Sequence, residues 1–247
     1  MAARVAGAAE AAEVSFSVDS PRGPRSVTVS YQRSGTGAPL LLLHGIGHHR
    51  QAWDPVVGIL AAERDVIAVD LPGFGASPAL PDGLAYDLST VVPTLHALCG
   101  ALGVERPHVA GNSLGGLLAL ELGREKLVRS VTVLSPAGFW SEAERRYAFS
   151  TLRAMHGIAR RMPLPMIERL SRSAVGRTAL TSTIYAHPGH RSPEAVVAET
   201  LALREATGAP VYMAESERDR LERIGDFVPA GIDVALRPHA PEVLLKG

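Results

Sequence analysis

Hydrophobic positions change their spacing along this 247-residue chain, and each change marks an element. Val14 to Val18 and Ser26 to Gln32 alternate apolar with polar residues, as half-buried strands do. Asp19-Ser20-Pro21-Arg22-Gly23-Pro24 between them is dense in turn formers, so the pair predicts an antiparallel hairpin. Pro39 to Leu43 is instead a continuous apolar run of strand length, the pattern of a parallel strand covered on both faces. Asp65 to Asp70, Arg106 to Ala110 and Ser130 to Ser135 are further strand-like runs. They alternate with helix-compatible segments near 53–63, 88–103 and 114–126. That rhythm predicts an α/β fold with a doubly wound, mostly parallel sheet.

After Ser135-Pro136-Ala137-Gly138 the alternation stops, and the next seventy or so residues read as helical, broken at Pro163, Pro165, Gly176, Pro188-Gly189 and Pro193. The chain therefore divides into a first core part (1–137), a helical insertion (138–208) and a C-terminal core part (209–247). The insertion carries Phe139, Trp140, Tyr147, Phe149, Met155, Met162, Met166 and Tyr185. Most are expected to form its own small core rather than line a pocket. It is also rich in arginine, from Arg145 and Arg146 through Arg191, which reads first as a solvated helix face because Lys126 and Lys246 are the only lysines in the chain.

Composition narrows the class without naming a function. Hydrophobic residues make up 46 % and charged residues 20 %, enough apolar surface for one large core. The formal charge is zero, so no global field recruits nucleic acid or an anionic membrane. The one cysteine, Cys99, falls inside a helical run, which leaves no disulfide framework or cysteine metal site. The alanine-rich start carries Arg4, Glu10 and Glu13 where a secretory signal would be apolar, and no apolar run approaches a membrane span. A cytoplasmic protein with no cofactor and no metal is the expectation, with a homodimer left open.

Chemistry enters at Gly111-Asn112-Ser113-Leu114-Gly115-Gly116, a G-x-S-x-G sequence between a strand-like and a helix-like run. Glycines at 111 and 115 let neighbouring backbone crowd a sharp turn, while Ser113 projects its hydroxyl beside a helix N-terminus. Two further segments stand upstream in fixed order. Pro39 to Leu43 runs into His44-Gly45-Ile46-Gly47, and Asp65 to Asp70 runs into Leu71-Pro72-Gly73-Phe74-Gly75-Ala76-Ser77. Together the three motifs resemble the α/β-hydrolase superfamily, in which the third strand ends in His-Gly and the fifth ends at the nucleophile. The resemblance implies Ser113 as nucleophile, the backbone N–H groups of Ile46 and Leu114 as the oxyanion hole, and the helical insertion as a cap. His44, His48 and His49 lack accompanying carboxylates or an H-E-x-x-H helix, so they read as structural rather than metal-binding.

The base and its orienting acid are open between two alignments. In one, Pro210 to Ala214 is the seventh strand, Asp219 the acid, Ile232 to Leu236 the eighth strand and His239 the base. In the other, Ala209 to Ile224 is an amphipathic helix and Val228 to Leu236 the seventh strand, with no acid or histidine to follow. Only 39 residues remain from Ala209, short for the first arrangement, and the glycine expected before the acid is replaced by Ser216 nearby. The first implies a serine hydrolase of small carboxylic esters or related acyl compounds. The second implies a truncated or non-catalytic relative. A carbon–carbon bond hydrolase is the third reading, favoured by G-N-S-x-G-G and disfavoured by Ile46-Gly47-His48-His49 after His44-Gly45.

Overall fold

The computed structural model describes residues 11–210 and Tyr212. Six strands form one sheet: β1 (Ala12–Val18), β2 (Arg25–Ser34), β3 (Ala38–Leu43), β4 (Arg64–Val69), β5 (His108–Asn112) and β6 (Ser130–Leu134). Their spatial order is β1-β2-β4-β3-β5-β6. The alternating N-terminal segments do form the hairpin, with β1 antiparallel to β2 and β2 antiparallel to β4. From β4 through β3 and β5 to β6 every pairing is parallel.

Each parallel connection crosses through a helix: α1 (Asp54–Leu60) after β3, α2 (Leu88–Ala101) after β4 and α3 (Leu114–Arg124) after β5. The leucine run of β3 shows how they are distributed. Leu41 and Leu43 share a core with Leu95 and Leu98 of α2 and Leu118 and Leu122 of α3. Leu42 packs against Trp53 and Val57 on the opposite side. Successive side chains of a strand face opposite ways, so α1 covers one face and α2 with α3 the other. A strand buried on both sides has no place for polar residues, which is why Leu40 to Leu43 read as an unbroken apolar run. Cys99 is buried in the α2 side of this core, and burial pushes its thiol up to about 11.

Strand β5 begins and ends two residues later than the sequence pattern suggests. Arg106 adopts a left-handed φ of 43° and Pro107 has no N–H to donate, so the ladder starts at His108. At the other end Gly111 and Asn112 pair with Val133 and Leu134, which extends the strand to the residue before Ser113.

Among the described residues four α-helices with full bounds follow β6: α4 (Glu142–Arg161), α5 (Leu164–Ser171), α6 (Ala174–Thr181) and α7 (Pro193–Glu205). Ser141 opens α4 with a capping box, its hydroxyl accepting the Glu144 N–H while the Glu144 carboxylate accepts the Ser141 N–H. Ser173 and Ser192 cap α6 and α7 by accepting the N–H groups of Gly176 and Ala195. The aromatic residues of this segment divide. Phe149 is buried edge-on to Trp140 at 6.1 Å, whereas Tyr147, Phe139 and Met166 are exposed.

Ala209, Pro210 and Tyr212 are helical, and the Tyr212 N–H donates to the Gly208 carbonyl at 2.9 Å. Pro210 and Tyr212 are therefore not in the strand that the first alignment expects over Pro210–Ala214, whereas the second expects a helix from Ala209. The helical turn places Tyr212 in a buried aromatic cluster, 4.8 Å from Tyr86 and 5.6 Å from Phe74 by ring centroids. The rest of that segment, including Asp219 and His239, lies outside the described residues.

Candidate active site

Strand register brings four loops to one edge of the sheet. Leu43 is level with Val69 on one side and with Gly111 on the other, and Gly111 is level with Val133. His44-Gly45, Asp70-Leu71, Ser113 and Ser135 therefore all emerge together at the carboxyl ends of parallel strands, where open α/β sheets place ligands.

Ser113 stands between β5 and α3 at φ 51° and ψ −113°, a conformation that costs a non-glycine residue of the order of 1–3 kcal/mol. The surroundings hold it there. Its N–H donates to the Leu134 carbonyl at 3.0 Å, and its own carbonyl accepts from Leu117 and Ala137, both at 3.0 Å. Side chains at positions 111 and 115 would break this arrangement: a Cβ on Gly111 would overlap the Gly115 carbonyl, and one on Gly115 would overlap the carbonyls of Leu43 and His44. The serine thus sits on a turn that only close backbone contact can make. Its hydroxyl caps nothing in α3 and has no hydrogen-bond partner among the described residues.

The loop after β3 lies directly against it. A Cβ built on Gly45 would stand 3.3 Å from Ser113 Cβ and 3.1 Å from Asn112 Oδ1. The His48 N–H donates to the Gly45 carbonyl at 3.2 Å, closing a turn with Ile46 and Gly47 at its centre and Gly47 at φ 73°. On the other side of the serine, Leu114 is the first residue of α3, so its N–H has no carbonyl of its own helix to bond. Ile46, beside Gly45, and Leu114, at the start of α3, are thus the residues next to Ser113 on its two sides.

His44 is structural, as its sequence context suggests. Its Nε2 accepts the Leu71 N–H at 3.0 Å, so the proton resides on Nδ1, which donates to the Gly45 carbonyl at 2.7 Å. Complete burial lowers its pKa to about 4 and keeps the ring neutral. Beside it the Asp70 carboxylate, also fully buried, accepts the Arg50 N–H at 2.6 Å, the Arg50 guanidinium and the Ala76 N–H at 2.9 Å. The Ser77 hydroxyl donates to the Asp70 carbonyl at 2.6 Å. The loops after β3 and β4 are thereby tied to one anchor. Asp70 was legible as part of a motif; Arg50 carried no signal of its own in the sequence.

A second polar group borders the His-Gly loop from the helical segment. Arg191 pairs with Glu199 of α7 and lies 4.6 Å above the Tyr185 ring centroid. Burial, with the His44 and His49 rings and the Arg191 charge adding to it, holds the His48 pKa down at about 4. Among the described residues no three metal-ligating side chains gather, and no described histidine hydrogen-bonds Ser113. No helix among them is long and apolar enough to cross a membrane.

The sequence model of the alpha/beta hydrolase family matches residues 40–246, and the chain belongs to that family. It is 39 % identical over 121 residues to a pimeloyl-[acyl-carrier protein] methyl ester esterase of Aeromonas hydrophila, a match covering 48 % of this chain and 46 % of that protein. It is 38 % identical over 114 residues to the dihydrolipoyllysine-residue acetyltransferase component of an acetoin cleaving system from Pseudomonas putida, covering 45 % and 30 %. The chain spans less than half the length of these curated relatives. Among solved structures, an esterase from Rhodococcus sp. ECU1013 superposes with a TM-score of 0.54 at 22 % identity, over 81 % of this chain and 72 % of that one. That likeness is one of fold.

Proposed function

We propose that the protein is a serine hydrolase of small carboxylic esters or related acyl compounds, with Ser113 as nucleophile. The observation that carries this reading is the Ser113 backbone, held at φ 51° against the Gly45 loop with a hydroxyl that has no hydrogen-bond partner among the described residues. A turn that costs stability and frees a side chain is explained by chemistry at that side chain. The esterase activity in the name of the Aeromonas relative supports the same reaction class.

In this mechanism the Ser113 hydroxyl attacks the acyl carbon. The developing oxyanion is met by the N–H groups of Ile46 and Leu114, and the alcohol leaves from an acyl-enzyme that water then hydrolyses. His239 as base and Asp219 as its orienting acid complete the proposal, resting on their Ser-Asp-His order in the chain. Residues 138–208 act as a cap over the serine.

The test is turnover of p-nitrophenyl acetate by the full chain before and after Ser113→Ala. A fall of about three orders of magnitude or more is expected. Equal rates would remove Ser113 from the reaction. His239→Ala with undiminished turnover would move the base to another residue.

A further inference from the structure

Gly47 and Leu203 occupy one another's space. Gly47 holds the turn after β3 at φ 73°, and a Cβ added to it would overlap Leu203 Cδ1 of α7. Two residues earlier in the same turn, Gly45 abuts Ser113. Helix α7 therefore bears on the loop that carries the Ile46 N–H, at a glycine that has no side chain to hold it off. Helix α7 is tied in turn to the segment before it by the Arg191–Glu199 ion pair, with the Arg191 guanidinium over the Tyr185 ring.

We propose that Leu203 is a positioning residue for the oxyanion hole: it presses the Gly45–His48 turn from the helical segment and sets where the Ile46 N–H points. This rests on the serine hydrolase reading. A donor aimed at the oxyanion acts on the transition state more than on bound substrate, so loosening it lowers kcat and leaves KM nearly unchanged. A side chain that only lined the substrate pocket would shift KM instead.

The test uses the full chain with Leu203→Ala, Leu203→Met, Gly47→Ala and the Gly47→Ala/Leu203→Ala double variant. Peptide-level hydrogen exchange across residues 45–49 reads the contact without reference to activity. Exchange roughly tenfold faster in Leu203→Ala, restored in Leu203→Met, is expected. With p-nitrophenyl acetate, Leu203→Ala should lose about tenfold in kcat with KM within about threefold, and Leu203→Met should recover most of it. The double variant should regain part of what Gly47→Ala loses, because the overlap with Leu203 is gone while the unfavourable φ remains. Unchanged exchange, a KM-only effect, or a double variant no better than Gly47→Ala would overturn the proposal. Insensitivity of wild-type turnover to Ser113→Ala would instead sink the hydrolase reading and leave the exchange result to decide the contact.

Discussion

The Asp70 carboxylate holds Arg50 twice, once through the backbone N–H at 2.6 Å and once through the guanidinium, with both residues buried. Removing the acid alone strands a buried cation and releases the Arg50 and Ala76 N–H groups. Asp70→Asn should therefore cost about 3–5 kcal/mol, read as a lower urea midpoint. The apolar double replacement Arg50→Met/Asp70→Leu should lose less than the single variant. A single variant as stable as wild type would show that the pair does not anchor these loops.

Strain at Ser113 gives a prediction of opposite sign. Ser113→Gly relieves the φ of 51° and should raise stability by about 1 kcal/mol over Ser113→Ala, which keeps the strain. Both should be inactive on p-nitrophenyl acetate. Paired urea titrations check the difference, and a Ser113→Gly protein less stable than Ser113→Ala would refute stored strain at this turn.

Gly115→Ala should be among the most damaging substitutions in the chain, because its methyl group meets backbone carbonyls of Leu43 and His44 rather than a side chain that can rotate away. A loss above about 3 kcal/mol, or failure to accumulate folded protein, is expected. Gly100→Ala on α2, where added volume meets open space, should be neutral or stabilising by comparison.

Stability should fall on mild acidification. His44 and His48 have folded pKa values of about 4 against an ordinary 6.5, so the unfolded chain takes up their protons first. Their contribution is fully present above about pH 6.5 and is lost as pH falls toward 4. Urea midpoints at pH 7, 6 and 5 should decline, and His48→Gln should flatten that slope. An identical slope in wild type and His48→Gln would remove His48 from the effect.

The parallel core was readable because its signals are local. A leucine run of strand length leading into His44-Gly45 suits a doubly covered strand, and Gly111 and Gly115 mark close backbone contact in a strand–turn–helix passage. What escaped the sequence depends on distant partners. Nothing near Arg50 points to Asp70, and nothing near Leu203 points to Gly47, since each pair is defined only once the loops and helices are packed. The segment from Ala209 stays open between strand and helix in the sequence for a related reason: its apolar residues suit either, and the contact of Tyr212 with Tyr86 and Phe74 is with distant partners.

The place of β3 in the sheet also sets an order of assembly. It precedes both its neighbours in the chain, with β4 on one side and β5 on the other. An emerging chain can pair β3 with β4 early, across a short crossover, but must close a much longer loop before β5 arrives. The His-Gly turn consequently has no serine to face until Gly111 has been laid beside Leu43. The edge that bears Ser113 thus closes after the β3–β4 pair, and a nascent chain carries that serine unstrained until β5 is in place.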